Sequence, residues 1–395
     1  MKNIVFTTVV CLTLFPNANG FVYPNDGVFA NPSDVHSFYQ CSSSTSYLIH
    51  CPAGLVRNDA QKKCDWKVVD PIIHCAVSNQ PNCREKTRWT TDGIVIVGVD
   101  SKSGSDSQHL NSLLGIFVDT LHGNNVYVAD RSNNLIQMFL GNSLSSGGIT
   151  VARGNGTGSN PNQLSSPLDV YVDKNENIYI ADDGNQRIQM RQKGATSGIT
   201  VAGRNGGDEE LNKLKYSDRL FVHEKTNTLY VSDTLHNSIL KFTNGSSDGI
   251  IVAGQQEDES SAKILSRPTN VFVDDCETLY VAVTANDRIQ KACNTVAGGY
   301  GEGSNASQFN QPWTVKLDQY NNMYIVDTFN GRIQKWRPND SAGVTIIGGN
   351  GFDDKPNQLW FSYSLALDSE GNIFVNDLGN HRIQKFNVLS ETNSY

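Results

Sequence analysis

The stretch NGRIQKW, Asn330 to Trp336, returns along the chain as NQRIQM from Asn185, NDRIQK from Asn286 and NHRIQK from Asn380, with looser copies NNLIQM from Asn133 and HNSILK from His236. Reading backwards from each copy exposes a longer unit. An apolar run precedes it every time: VYVAD (Val126 to Asp130), IYIAD (Ile178 to Asp182), LYVSD (Leu229 to Asp233), LYVAV (Leu279 to Val283), MYIVD (Met323 to Asp327) and IFVND (Ile373 to Asp377). The ends of these runs lie 52, 51, 50, 44 and 50 residues apart. One more apolar run stands upstream of each, and a fourth follows the first five, as in ITVARG at Ile149 and VTIIGG at Val344. Four short β-rich runs per unit, separated by Gly, Asn, Asp and Ser, specify a four-stranded antiparallel sheet repeated six times.

Such a sheet cannot bury two apolar faces alone, so the copies must stack, and stacking around an axis closes a ring that hides most edges. The fold class is therefore all-β: a six-bladed β-propeller. Ring closure makes a specific demand. The sixth unit reaches RIQKF (Arg382 to Phe386) and is followed by polar residues without a fourth strand, whereas GIVIVG (Gly93 to Gly98) stands unpaired before the first unit. That segment is expected to complete the last blade. A repeated Asp–Arg pair is incomplete, because Asp130 meets Leu135, Asp233 meets Ser238 and Arg288 lacks its Asp. The repeated phrase thus reads as architecture, with Asp and Asn capping tight turns and Ile facing a neighbouring blade. The unit resembles the NHL repeat over roughly residues 93–386, with NHR (Asn380 to Arg382) at the phrase that names the family. That resemblance implies the fold and leaves activity open.

The ends and cysteines suggest a compartment. Lys2, the apolar run Ile4 to Phe15, and Ala18 and Gly20 at small-residue positions predict a secretory signal over residues 1–20, the alternative being an uncleaved anchor. Seven of the eight cysteines follow it: Cys41, Cys51, Cys64, Cys75, Cys83, Cys276 and Cys293. Five crowd into residues 41–83, as in a small disulfide-stapled module. Cys276 and Cys293 fall in two turns on one side of blade four, which predicts a disulfide between them; two free thiols are the alternative. Sequons at Asn155, Asn244, Asn305 and Asn339 are candidate glycosylation sites. A net charge of −8 and no basic run argue against a nucleic-acid partner. No membrane partner is expected.

The segment from Asp26 to Trp66 resembles a chitin-binding type 2 (peritrophin-A) domain through Phe38 to Cys41 (FYQC), Cys51 to Leu55 (CPAGL) and Cys64 to Trp66 (CDW). The family's six-cysteine pattern is reduced here: the first is absent and Val35 stands at the second. The resemblance implies a Cys51–Cys64 staple. Cys41 and Cys75 would then pair with each other, or one would take Cys83. It also implies binding of N-acetylglucosamine polymers, whose apolar C–H faces stack on aromatic rings. The carbohydrate-binding candidates are Tyr39, Tyr47 and Trp66, with Phe38 closer to a core role. The expected domains are 21–75 for this module, 76–92 for a polar linker, 93–386 for the propeller and 387–395 for a tail.

Catalytic chemistry has little support in the sequence. No H-E-x-x-H or G-x-S-x-G pattern occurs, and no metal or cofactor is expected. The turn aspartates Asp119, Asp173, Asp274, Asp318 and Asp368 recur too regularly for one asymmetric site. The expectation is a secreted, extracellular, non-enzymatic binder of chitin or a similar polymer that displays its propeller to a further ligand. The alternatives are a secreted lyase or hydrolase with its site at the propeller mouth, and a protein-binding scaffold carrying a vestigial module.

Overall fold

The computed structural model describes residues 87–98, 101–153, 156–203, 214–243, 245–246, 248–254, 264–292 and 294–389, together with the backbone of five short strands between residues 27 and 66. The chain divides into two units, Met1–Ala76 and Val77–Tyr395. In the first, Gly27–Ala30, Ser37–Ser42 and Thr45–His50 form an antiparallel sheet, and Leu55–Asn58 pairs with Lys63–Trp66. The signal segment and Cys51, Cys75, Cys83 and Cys293 lie outside the described residues, as do the side chains of Cys41 and Cys64.

The second unit is the expected six-bladed propeller. Blade two shows the pattern: Pro167–Val172, Ile178–Asp182, Arg187–Arg191 and Ile199–Ala202 form one antiparallel sheet from axis to rim. The middle strands are buried on both faces, which accounts for their near-continuous apolar sequence; Met323–Asp327 and Ile373–Asp377 are buried at every residue. Six apolar clusters fill the six seams between adjacent blades. The Ile of every RIQ phrase, including Ile136 and Ile239 in the looser copies, is fully buried in a seam.

Closure follows the sequence. Ile94–Val97 is the fourth strand of the sixth blade, with Val97 opposite Ile383 and Val95 opposite Gln384. The expected boundaries need correction, however. Arg88–Trp89, placed in the linker, pairs with Val388–Leu389, placed in the tail. Trp89 is buried, donates its indole N–H to the Gly371 carbonyl at 2.9 Å and meets Tyr324 edge-on. A tryptophan among polar neighbours carries no periodicity, so the reading missed a second clasp.

The structure also gives the repeated phrase a fuller role. In blades two, five and six the Asp ending the middle strand does pair with the RIQ arginine: Arg187–Asp182 at 2.8 Å, Arg332–Asp327 at 2.7 Å and Arg382–Asp377 at 2.7 Å, all buried. The other carboxylate oxygen accepts a backbone N–H from the incoming loop, from Ser165, Asn310 or Trp360. The guanidinium then binds carbonyls of that same loop; Arg332 takes those of Ser304, Asn305 and Gln308. Each phrase therefore ties a blade to the loop that enters it. Where Arg is absent the task is shared: His236 serves Asp233, and Asn133 with Gln137 serves Asp130. In blade four Asn286 accepts the Ser266 N–H in place of the missing carboxylate.

Candidate functional site

Three places could carry function: the axial channel, the turn carboxylates around it, and the N-terminal module. At one level of the channel the inner strands contribute Gly115, Asp169, Arg219, Asn270, Thr314 and Ser364. Arg219 crosses the axis, donating to the carbonyls of Leu168 at 2.7 Å, Tyr363 at 3.1 Å and Leu114 at 3.4 Å, and lying 3.4 Å from Asp169. It thereby joins blades one, two, three and six. The next layer is mostly aromatic, with Phe117, Tyr171, Phe221 and Phe272 in successive contact at 4.7–5.8 Å. Lys316 and Ala366 complete this layer; Lys316 keeps some solvent contact, yet burial draws its ammonium below the ordinary lysine value, against the pull of Asp169. A cavity between these two layers, lined by Asp169, Tyr171, Arg219, Asn270 and Lys316 among others, holds about 10 Å³, at the lower limit for one water.

The turn carboxylates are occupied. Asp173, Asp274, Asp318 and Asp368 each accept two backbone N–H groups from their own hairpin turn, and Asp119 does so from Leu121 and His122. His223, which replaces the Asp in blade three, bonds Thr226 instead. These are turn caps, one per blade. Among the described residues no group of His, Cys, Asp and Glu could hold a metal ion.

Asp218 differs from these carboxylates. Burial pushes its carboxyl up to about 7, partly offset by the Thr234 hydroxyl and by Arg219, while Asp183 adds to the rise. The geometry agrees. The Thr234 hydroxyl has one proton but lies 2.7 Å from Asp218 and 2.8 Å from the Pro268 carbonyl; both bonds form if Asp218 carries a proton and donates it. A carboxyl whose folded pKa exceeds its unfolded one contributes stability that is complete below the unfolded value and lost as pH rises through the folded value. Asp218→Asn is therefore expected to raise the melting temperature by roughly 5 °C near pH 8 and to leave it unchanged near pH 4. Equal shifts at both pH values would refute a neutral Asp218.

In the module, the backbone register places Tyr39 opposite Leu48, Tyr47 opposite Gln40 and Phe38 opposite Ile49, with Trp66 opposite Leu55 in the separate hairpin. Residues 23–71 match the chitin-binding Peritrophin-A domain family, and residues 164–189, within blade two, match the NHL repeat.

The chain joins a peritrophin-A chitin-binding domain to an NHL-repeat propeller. The chain is similar to part of an endochitinase of Brugia malayi, 48% identical over 40 residues, and of Peritrophin-1 of Anopheles gambiae, 36% identical over 55 residues. Those matches cover 10% and 14% of this chain and 8% and 34% of the two relatives, so the chain spans only a small part of either relative's length. The chain is also similar to an auxiliary nutrient binding protein from Bacteroides thetaiotaomicron, with a TM-score of 0.58, 13% identity and coverage of 90% and 89% of the two chains. At that identity the likeness concerns fold only. On the NHL propeller, Cys276 is disulfide-bonded within the Asp274 turn, its expected partner Cys293 being outside the described residues. The sequons at Asn305 and Asn339 are exposed, while Asn155 and Asn244 lie outside the described residues. No helix among the described residues is long and apolar enough to cross a membrane.

Proposed function

We propose that the protein is a secreted, non-enzymatic binder of chitin or a related N-acetylglucosamine polymer, held through the peritrophin-A domain, with the propeller as an interaction platform. The match of residues 23–71 to that family, carried by FYQC, CPAGL and CDW in order, is the observation that supports it. A passive propeller agrees with an axis bridged by Arg219 and with turn carboxylates already committed to backbone N–H groups. The apolar run at residues 4–15 and the exposed sequons Asn305 and Asn339 agree with passage through a secretory route. A Cys276–Cys293 staple would suit the same compartment.

The full chain should be retained on chitin beads, and Trp66→Ala should reduce that retention about tenfold, since one weak stacking site is multiplied by the repeating polymer. Absence of retention by the unsubstituted protein would end this reading.

A further inference from the structure

Residues recurring in all six blades are architecture, so side chains that break the repeat on the surface are informative. The two repeat positions that lead into each inner strand, directly before it in blades one to five and before Ser362 in blade six, are Asn111 and Ser112, Ser165 and Ser166, Lys215 and Tyr216, Ser266 and Arg267, Asn310 and Gln311, and finally Trp360 and Phe361. The backbone there is fixed by the repeat: the second residue has φ between +48° and +62° in every blade, and in five of the six blades the first N–H reaches the Asp that ends the middle strand. Only the sixth blade uses this scaffold to display two large aromatic rings. For Phe361, at +51°, that is a backbone region which bulky side chains avoid.

Two further rings join them. Phe361 lies 5.4 Å from Phe329, 5.8 Å from Phe352 and 6.4 Å from Trp360 between ring centroids. Phe329 comes from the turn of blade five; the other three come from the loop entering blade six. Trp360 is 41%, Phe352 46% and Phe329 37% exposed. Two of the rings have glycine seats. A Cβ on Gly379 would stand 2.5 Å from Cγ of Trp360, and one on Gly331 would stand 3.0 Å from Cε1 of Phe352. The rings thus rest on bare backbone. Trp360 is further anchored by its own N–H to Asp377 at 2.7 Å and by its carbonyl, which accepts the Gly379 N–H at 2.8 Å. In the same loop, exposed Asn350 donates its side-chain amide to the Asn357 carbonyl at 3.2 Å, and its own carbonyl accepts from the Gln358 amide at 2.7 Å.

A contiguous aromatic patch left in water marks a binding surface. Its form indicates the ligand: rings supported from beneath suit flat apolar faces such as the C–H faces of pyranose rings. We propose that this patch between blades five and six is a second binding surface for the N-acetylglucosamine polymer, on the propeller itself. The choice of polymer rests on the chitin-binding reading of the first domain. Two weak sites on one chain would then bind one polymer with an avidity neither has alone.

The test uses the full chain with chitohexaose as soluble probe. In a Trp66→Ala background, titration should still shift the indole N–H signal that disappears in Trp360→Phe. Adding Trp360→Ala should weaken the remaining affinity about fivefold to tenfold, with Trp360→Phe restoring part of it and unchanged melting showing that the fold is intact. Binding that vanishes with Trp66→Ala alone would overturn the proposal while leaving the chitin-binding reading in place. Conversely, failure of the unsubstituted protein on chitin beads alongside a persistent Trp360 shift would overturn that reading and keep this site. A change in oligomeric state abolished by Trp360→Ala, without any saccharide-dependent shift, would reassign the patch to self-association and sink the proposal.

Discussion

Deleting Gly93 to Gly98 is expected to lower the melting temperature by roughly 10 °C or more and to make the protein aggregate on heating. The segment contributes the whole outer strand of blade six. Ile96 and Val97 are buried in the seam between blades six and one, together with Phe374 and Ile383. Losing two buried aliphatic side chains costs about 3–6 kcal/mol, before the hydrogen bonds of the ladder are counted. The remaining edge, Arg382–Phe386, would present unpaired backbone groups to other molecules. Closure is also sterically tailored. Gly98 has φ +79°, and a Cβ there would stand 2.1 Å from the His381 carbonyl oxygen, so only glycine lets the chain leave the strand past blade six. Calorimetry together with limited proteolysis would measure the effect; an unchanged transition would mean that the ring holds without its front end. The second clasp, Arg88–Trp89 against Val388–Leu389, remains in that variant and limits the loss.

The parts of this fold visible in the sequence are those that six units repeat. The middle strands, the RIQ strands and the closing strand could be placed because each has five counterparts against which to check its register. Features that occur once were not legible. Trp89 docks through an indole hydrogen bond to Gly371, 282 residues away, and nothing local announces it. Arg219 stood in an inner-strand position filled elsewhere by Gly, Asp, Asn, Thr and Ser. Only the ring geometry shows that its side chain reaches three other blades. The aromatic patch is assembled from Phe329 of one unit and Phe352, Trp360 and Phe361 of the next, so a search within units passes over it. Comparing equivalent positions across the six units would have isolated Trp360 and Phe361. The Asp–Arg pair is broken in sequence by Leu135, Ser238 and Val283 in blades one, three and four, which hides its role from the repeat. Asn, His and Gln substitute there because the requirement is for donors to a buried carboxylate, which several residue types meet.

That requirement makes Arg382→Ala the most damaging single substitution expected, at about 3–5 kcal/mol. Asp377 is fully buried, and burial raises its carboxyl above the ordinary aspartate value even with the Asn380 amide, the Trp360 N–H and Arg382 all favouring the charged form. Removing the guanidinium leaves that charge with weaker compensation and also strips donors from the carbonyls of Asp354 and Lys355. Arg382→Lys should recover little, because an ammonium cannot serve Asp377 and two loop carbonyls in the guanidinium's planar geometry. Blade one indicates the variant's pH behaviour. Asp130 has Asn and backbone donors but no arginine, and burial pushes its carboxyl up to about 6. Without Arg382, Asp377 should rise in the same way, holding its proton more tightly folded than unfolded, so the variant loses stability as pH increases through that raised value. Denaturant unfolding of Arg382→Ala should therefore show a larger deficit near pH 8 than near pH 5. Arg288→Ala is the matching comparison: its blade has Val283 in place of the Asp that ends the middle strand, so the part of the deficit that comes from that carboxylate should be missing. Equal, pH-independent deficits in the two variants would show that the arginines act only through the loop carbonyls and that the buried carboxylate contributes nothing to how each blade holds its neighbour.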